Sequence, residues 1–502
     1  MKQEIIPFGR GMLTEGPLLS RPPGTCLIAT NFEIPPQGGY RRINGYELFD
    51  GSDAPVAPPG SGEVRGVFIY KDEYYCIRDN AGATAGVIYK ATPSGWSLID
   101  DTLPAGGSYE FLIYNFYAST DNIKVYGVNG VGKAFEFDGT SVSFITTGMT
   151  LDIPTHIAQF KKFLFLSFSG GSVQHSAAGD PSTWSPILGA SELGVGDDVT
   201  GFSTETGGSL VIFSRNKTHI LTGTGEILSS GVLDWTLVEF SSESGAIENS
   251  INRLGQTLYL DDRGLTALRA SDTFGDFAYN AYSAGFRPLV SSYYKLGVRC
   301  STVIKENNQY RIFFNNGQAL CCSFQGLEFV GATTFDFPIT VAKVFTWEVN
   351  SIEKTIIGDT EGNVYLLDSG NNFNGVAIRS YLKTQFYHYG SPVRRKRFRR
   401  VHIEAESEGN SVLSFQPEFS YSSPNIKKAI IDTFLLVSSG GLWDKDSWNE
   451  FMWAIPLAGN TPVRINGVGA NMSALFFHES ENDSPFILYG MIVDFDDRGV
   501  TR

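Results

Sequence analysis

EFLIYNFYASTDNIKVYGVNGVGKAFEFDGTSVSFI, residues 110–145, reads as four short strands in a row, 111–117, 123–128, 133–137 and 141–145. Aromatic and β-branched residues fill the runs, and turn residues separate them. Asp138-Gly139 marks the last hairpin, because a two-residue turn needs positive φ and glycine supplies it without strain. A sheet of this size has two apolar faces and cannot bury both alone. It needs a similar sheet on each side.

Similar sheets follow along the chain. Strand clusters begin near Val64, Glu110, Ile153, Val199, Ala246, Val298 and Thr340. The spacing of about 42 to 52 residues matches a four-stranded propeller blade. Ser94-Gly95, Asn315-Asn316-Gly317 and Glu361-Gly362-Asn363 punctuate the other clusters as Asp138-Gly139 does the second. The expected fold is all-β, a β-propeller of about seven blades over 61–370. Residues 1–60 look extended and Pro-rich, with spare length to close the ring by completing the last blade. Residues 371–502 lose the repeat and carry strands at 401–406, 412–415, 429–437, 474–478 and 486–495, read as a C-terminal β-sandwich-like platform domain. A Trp-rich segment, Leu442-Trp443-Asp444-Lys445-Asp446-Ser447-Trp448 with Trp453, lies within it. The weakly patterned stretch 271–296 reads as a long protruding loop at a lumen or tip.

Composition narrows the function. The formal charge is −14 over 502 residues. A protein that grips nucleic acid over its whole surface is basic, so that class is excluded. An acidic or neutral wall suits a conduit for DNA, since phosphates that stick cannot slide. The five cysteines, Cys26, Cys76, Cys300, Cys321 and Cys322, include no Cys-x-x-Cys pair and read as reduced, buried thiols. Cys321 and Cys322 adjoin in one strand and point to opposite faces. The N-terminus shows no signal-peptide core. The longest apolar run, 486–493, is one strand long and cannot span a bilayer.

Few residues suggest chemistry. Histidines 156, 175, 219, 388, 402 and 478 lack metal-ligand spacing and read as ordinary core or surface residues. Gly127-Val128-Asn129-Gly130-Val131-Gly132-Lys133 superficially resembles a phosphate loop. It joins two strands rather than opening a helix, and no Ser or Thr follows the lysine. Asp180-Pro181-Ser182-Thr183-Trp184 partly resembles the Asp-box of sialidase-like propellers, with Pro181 at the pattern's glycine. It reads as a structural turn with a packed Trp. The aromatics Tyr74, Tyr75, Phe111, Tyr114, Phe116 and Tyr117 read as blade core. No catalytic residue, cofactor site or metal site is expected.

One charge run stands out: Arg394, Arg395, Lys396, Arg397, Arg399 and Arg400 around Phe398. It is either a docking strip for an acidic partner surface or DNA phosphate, or a solvated edge strand whose charges block unwanted pairing. A single interleaved aromatic gives no base readout.

Three N-terminal pieces carry a family resemblance: Pro17-Leu18-Leu19-Ser20-Arg21-Pro22-Pro23-Gly24, Ala29-Thr30-Asn31-Phe32, and Gly39-Tyr40-Arg41-Arg42-Ile43-Asn44-Gly45-Tyr46. With them go Leu210-Val211-Ile212-Phe213-Ser214-Arg215-Asn216-Lys217 before Ile220-Leu221-Thr222-Gly223, then Trp443-Asp444 with Trp448, and Ser484-Pro485-Phe486-Ile487-Leu488-Tyr489-Gly490. In layout the chain resembles the tail nozzle proteins of short-tailed bacteriophages, also called tail tubular protein B or packaged-DNA stabilisation protein. The resemblance implies a non-enzymatic virion structural protein without cofactors. It implies a homo-oligomer, a hexameric ring below the portal and adaptor proteins, assembled in the host cytoplasm. Tail fibre or needle proteins are further implied partners, packaged double-stranded DNA passes through the lumen, and no membrane is involved. A receptor- or glycan-binding propeller of a phage tail is the alternative, and needs exposed aromatic and carboxylate groups at the propeller mouth. A propeller glycosidase is the third reading, and needs two carboxylates roughly 5–10 Å apart.

Overall fold

A computed structural model describes residues 2–117, 122–205, 208–229, 232–270, 277–407, 409–422, 430–436 and 459–500. The chain is built almost wholly of antiparallel strands. Six four-stranded sheets, together with four strands of a nine-stranded sheet, form seven blades. In chain order they cover 61–104, 110–144, 156–194, 199–241, 252–281, 298–336 and 341–367. The expected periodicity and the observed blades agree to within a few residues. The strands of blade 2 are Glu110–Tyr114, Lys124–Val128, Phe135–Phe137 and Val142–Phe144. Gly139 takes φ +105° in its hairpin, and Gly95, Gly317 and Gly362 are likewise left-handed.

The ring closes on itself. The first strands of blades 1, 2, 3 and 4 touch in succession, as do those of blades 5, 6, 7 and 1. Between blades 4 and 5 the first strand of one meets the second strand of the other. Each junction has its own apolar core. Val349, Ile356 and Val364 of blade 7 pack with Val67, Ile69 and Val87 of blade 1. Phe68 and Tyr75 of blade 1 stack 4.9 Å apart and meet Phe137 of blade 2. The paired cysteines divide between two such cores: Cys321 faces blade 7 and Cys322 faces blade 5. All five thiols are free and buried. Burial pushes Cys26, Cys300 and Cys321 up to about 12, so these thiols stay protonated and inert.

Blade 7 supplies only three strands of its own. Its fourth, Tyr46–Leu48, comes from the N-terminal segment and pairs with Val364–Leu367. Tyr46 is fully buried, stacked on Phe373 at 5.1 Å and edge-on to Tyr365 at 4.8 Å. Gly45 just before it has no room for a side chain, since a Cβ would fall 1.6 Å from the Asn372 carbonyl oxygen.

The rest of the N-terminal segment is woven into a two-sheet sandwich with the C-terminal residues. One sheet contains Phe32–Glu33, Tyr40–Arg42, Phe486–Val500, Arg394–Ser407 and Gly459–Gly469, with Lys2–Pro7 alongside Phe486–Val500. The facing sheet contains Cys26–Thr30, Ile378–Thr384, Met472–Ser480, Ser411–Phe419 and Asp432–Leu436. It joins the outer strand of blade 6 through the parallel pair Thr30 and Thr334. Propeller and sandwich therefore share one continuous sheet.

A buried charge cluster locks this junction. Arg311 of blade 6 is 1% exposed. Its guanidinium donates to both Asp368 oxygens (3.0 and 2.8 Å), to Glu33 Oε2 (3.2 Å) and to Gln309 Oε1. Arg41 holds the other Glu33 oxygen at 2.9 Å. Arg42, fully buried, donates to the backbone carbonyls of Asp483 and Asn371. The basic pair of the N-terminal motif is thus a structural fastener.

Two expectations need correction. Residues 271–276 and the Trp-rich segment 442–453 lie outside the described residues, but the remainder of 271–296 is no protruding loop. Phe277–Ala281 is the fourth strand of blade 5, and Arg287–Tyr294 is a helix with Pro288 in its first turn. Phe286, Val290 and Tyr293 bury against Tyr310, Ile312 and Phe314 of blade 6. The helix is a wedge between two blades, too short to show a periodic stripe. The platform's basic strand, described below, is not at an edge.

Two substitutions test the junctions. Tyr46→Ala should destabilise the protein by about 3–5 kcal/mol through the cavity it leaves. Arg311→Ala should cost about 3 kcal/mol by leaving Asp368 without its counter-ion and Glu33 with Arg41 alone. Urea unfolding monitored by tryptophan fluorescence measures both.

Candidate functional site

The basic run occupies the start of the strand Arg394–Ser407, which pairs with Gly459–Gly469 on one side and Phe486–Val500 on the other. It is an internal strand, so its charges do not guard an edge. Alternation buries Lys396, Phe398, Val401, Ile403 and Ala405 against the sandwich core. A bulge between Phe398 and Arg400 leaves both Arg399 and Arg400 exposed. Lys396 is fully buried and donates to the backbone carbonyls of Ser391 and Ala470, and burial draws its pKa down. It therefore belongs to the scaffold rather than to any docking strip.

The outward residues form an arginine patch with a specific electrostatic cost. Arg399 is paired with Asp496 at 2.5 Å, and Lys2 with Asp497 at 2.6 Å. Arg395, however, lies directly opposite Arg498, and Arg400 stands between Arg464 on one neighbouring strand and Asp494 on the other. Like charges facing each other across strands destabilise a sheet. Arg394, Arg395, Arg400, Arg464 and Arg498 are exposed and make no ion pair among the described residues. Arg397 is half-buried opposite Asp496. Further along the same strand the charge reverses, with Glu404 and Glu406. The sequence shows the run but not Arg464 and Arg498, which only the strand register brings beside it.

A second feature lies on the propeller axis. A cavity of about 310 Å³ is lined by residues from the first strand of every blade. Glu110 opens blade 2 and His156 opens blade 3, and His156 Nδ1 meets Glu110 Oε2 at 2.8 Å. Lys343 of blade 7 lines the same cavity. Burial lowers the proton affinity of His156, but the Glu110 carboxylate more than offsets it, helped by Glu248 and the Val199 carbonyl. The net effect raises the pKa above the ordinary 6.5. The sequence does contain a signal, a polar residue at the head of successive inner strands, but His156 reads there as an ordinary histidine.

The other motifs are structural. Asp180 accepts from Ser182 and Thr183, and Trp184 Nε1 donates to the Pro181 carbonyl at 3.0 Å while its ring packs against the core of blades 2 and 3. The segment 127–133 joins two strands, with Asn129 Oδ1 capping Val131 and Gly132. Tyr75 is buried in the core between blades 1 and 2, with Phe111 packed against it, and Phe116 is buried in the next core, with Tyr114 against it. Among the described residues, no helix is long and apolar enough to cross a membrane.

The His156–Glu110 link carries a pH signature. A raised folded-state pKa contributes stability that is fully present below about pH 6.5 and is lost as pH rises through the folded value. The stability advantage of the wild type over Glu110→Gln should shrink in that window, measured by urea unfolding at several pH values. The NMR titration midpoint of His156 should lie above that of an unperturbed histidine and fall in Glu110→Gln.

No protein-family profile and no curated protein matches this chain. Among solved structures it is similar to Raptor of Chaetomium thermophilum, at 9% identity and a TM-score of 0.42, over 66% of this chain. The match spans 30% of the Raptor chain. It is also similar to the computationally designed protein Ika8, at 12% identity and a TM-score of 0.37, over 64% of this chain and 99% of that one. Neither likeness bears on function, and the propeller rests on the seven blades themselves.

Proposed function

We propose that this chain is a tail nozzle subunit of a short-tailed bacteriophage, a non-enzymatic virion protein that assembles into a ring, retains packaged DNA and then conducts it. The observation that carries this reading is the fastening of propeller to platform by Glu33, Arg41, Arg42 and Tyr46. These residues come from, or adjoin, the N-terminal motifs that carry the family resemblance. The fastening makes one stiff wedge, the property a ring subunit needs.

In this reading the DNA runs between subunits and not through the propeller. The axial cavity of about 310 Å³ is of small-ligand size and admits no duplex. The shared sheet and the buried Arg311 cluster disfavour a hinge between propeller and platform, so opening falls to loops or to movement of whole subunits. The exposed arginines of the platform dock on an acidic protein surface, that of a neighbouring copy or of the adaptor ring. Protein fits better than DNA here: a sticky arginine patch would slow a sliding duplex, whereas the chain's overall charge of −14 offers acidic surface for docking.

Mixing the purified protein with DNA-filled heads that carry portal and adaptor, then imaging the vertex, tests the reading. Ring-shaped density below the adaptor and retention of DNA are expected. Arg395→Glu with Arg400→Glu should block incorporation while leaving the thermal unfolding midpoint unchanged or higher. A chain that stays monomeric and never joins the heads sinks the proposal. Glycan-array binding by that monomer would favour a receptor-binding propeller instead.

A further inference from the structure

Blade 4 carries a hairpin longer than the blade itself. Its third strand, Thr218–Ile227, pairs with the second only as far as Leu221. From there to Ile227 it pairs with the fourth strand, Leu233–Ser241, alone. The root of this ribbon is anchored on blade 3. Trp235 Nε1 donates to His175 Nε2 at 3.0 Å, and the Trp235 ring packs on Phe163 at 5.4 Å. Further out, Ile227, Leu228 and Val232 are exposed. Beside them stands the short turn Pro186–Leu188 of blade 3, where Ile187 is 88% exposed and Leu188 is exposed too. A Cβ on Gly189 would lie 3.8 Å from Ile227 Cδ1, so turn and ribbon form one surface.

The five side chains expose roughly 500 Å², at the upper end for the largest apolar patch on a monomer. A standard interface buries roughly 800 Å² per partner, so the patch and its polar surround have the size of one face of a contact. The charge around it says what the partner is. Glu192 and Glu226 are exposed on the same two segments and make no ion pair among the described residues. No Lys or Arg occurs in 185–194 or 222–239. An apolar centre with an acidic rim fits a surface that is cationic and can also lie on apolar groups. Arginine does both, and it is enriched at protein interfaces where lysine is depleted. The platform patch of Arg395, Arg464 and Arg498, with Val393 56% exposed at its start, is such a surface. The platform joins the propeller at blades 6 and 7, across the ring from blades 3 and 4. The patch is open in the single chain, so a second copy must supply the cover.

We propose that the apolar patch of blades 3 and 4 docks on the platform arginines of the next copy, with Glu192 and Glu226 pairing with those arginines. The contact rests on the ring reading above and names the acidic surface that its arginines take. Each copy uses each of the two surfaces once. The contact is therefore head-to-tail, and copies add until a ring closes.

Sedimentation velocity of the full chain, from about 1 to about 100 µM in low salt, tests it. Concentration-dependent association is expected, and added salt should weaken it. Ile187→Ser with Val232→Ser breaks one surface, and Arg395→Glu with Arg464→Glu breaks the other. Either double variant should weaken association by about tenfold or more, with the thermal unfolding midpoint not lowered. Mixed one to one, the two variants keep one intact contact between them and should form dimers that grow no further. A wild type that stays monomeric up to about 100 µM overturns the proposal. Undiminished association of the apolar-patch variant, or a mixture that stays monomeric, overturns it equally. The nozzle reading fails on a different measurement. DNA-filled heads that take up the apolar-patch variant as well as the wild type overturn the contact and keep the nozzle. Association in solution without uptake on heads keeps the contact and sinks the nozzle.

Discussion

Closure is the constraint on which the molecule depends. Six blades are completed by strands local in sequence, while the seventh borrows Tyr46–Leu48 from a segment roughly three hundred residues upstream. Until that pairing forms, blade 7 exposes the edge of Val364–Leu367 and lacks the Tyr46 side of its core. Joining early and late chain in one sheet makes the ring all-or-none at that point. Free edges in a propeller are aggregation-prone, and this pairing removes the one that matters most.

The same segment does a second job. Having closed the ring at Tyr46, it also supplies Glu33 and Arg41 to the Arg311 cluster and strands to both sheets of the sandwich. Buried ion pairs often contribute little net stability, because desolvation offsets attraction. Here the geometry gives them a different value. Arg311 reaches Asp368, Glu33 and Gln309 together only when blade 6, the end of blade 7 and the N-terminal segment are all in place. An apolar replacement would fill the space without demanding that coincidence. The cluster specifies how propeller and platform sit together.

How much of this the sequence discloses follows from the range of each interaction. The blades are legible because a four-stranded meander is local: turn glycines such as Gly139 and alternating aromatics fall within a single window. The helix Arg287–Tyr294 is not, since eight residues give only two turns and its apolar side, Val290 and Tyr293, is defined by neighbours in blade 6. The basic strand is legible as a charge run. Its place inside a sheet is not, because sheet order sets it between strands sixty or more residues further on. The axial cavity is least legible of all. Glu110, His156 and Lys343 come from three blades and meet only because the ring is closed.

The platform arginines follow a simple electrostatic logic. In a chain of charge −14, isolated cations would be expected to disperse among carboxylates and pair with them. Some do, as Arg65 with Asp79 and Arg379 with Glu479. Several platform arginines do not. Arg395 faces Arg498 across strands whose register is fixed by the core beneath, so the repulsion cannot relax by slippage without turning Phe398 and Val401 to solvent. Packing has here enforced a like-charge contact. In the proposed ring, the acidic surface of a neighbouring protein would relieve that cost.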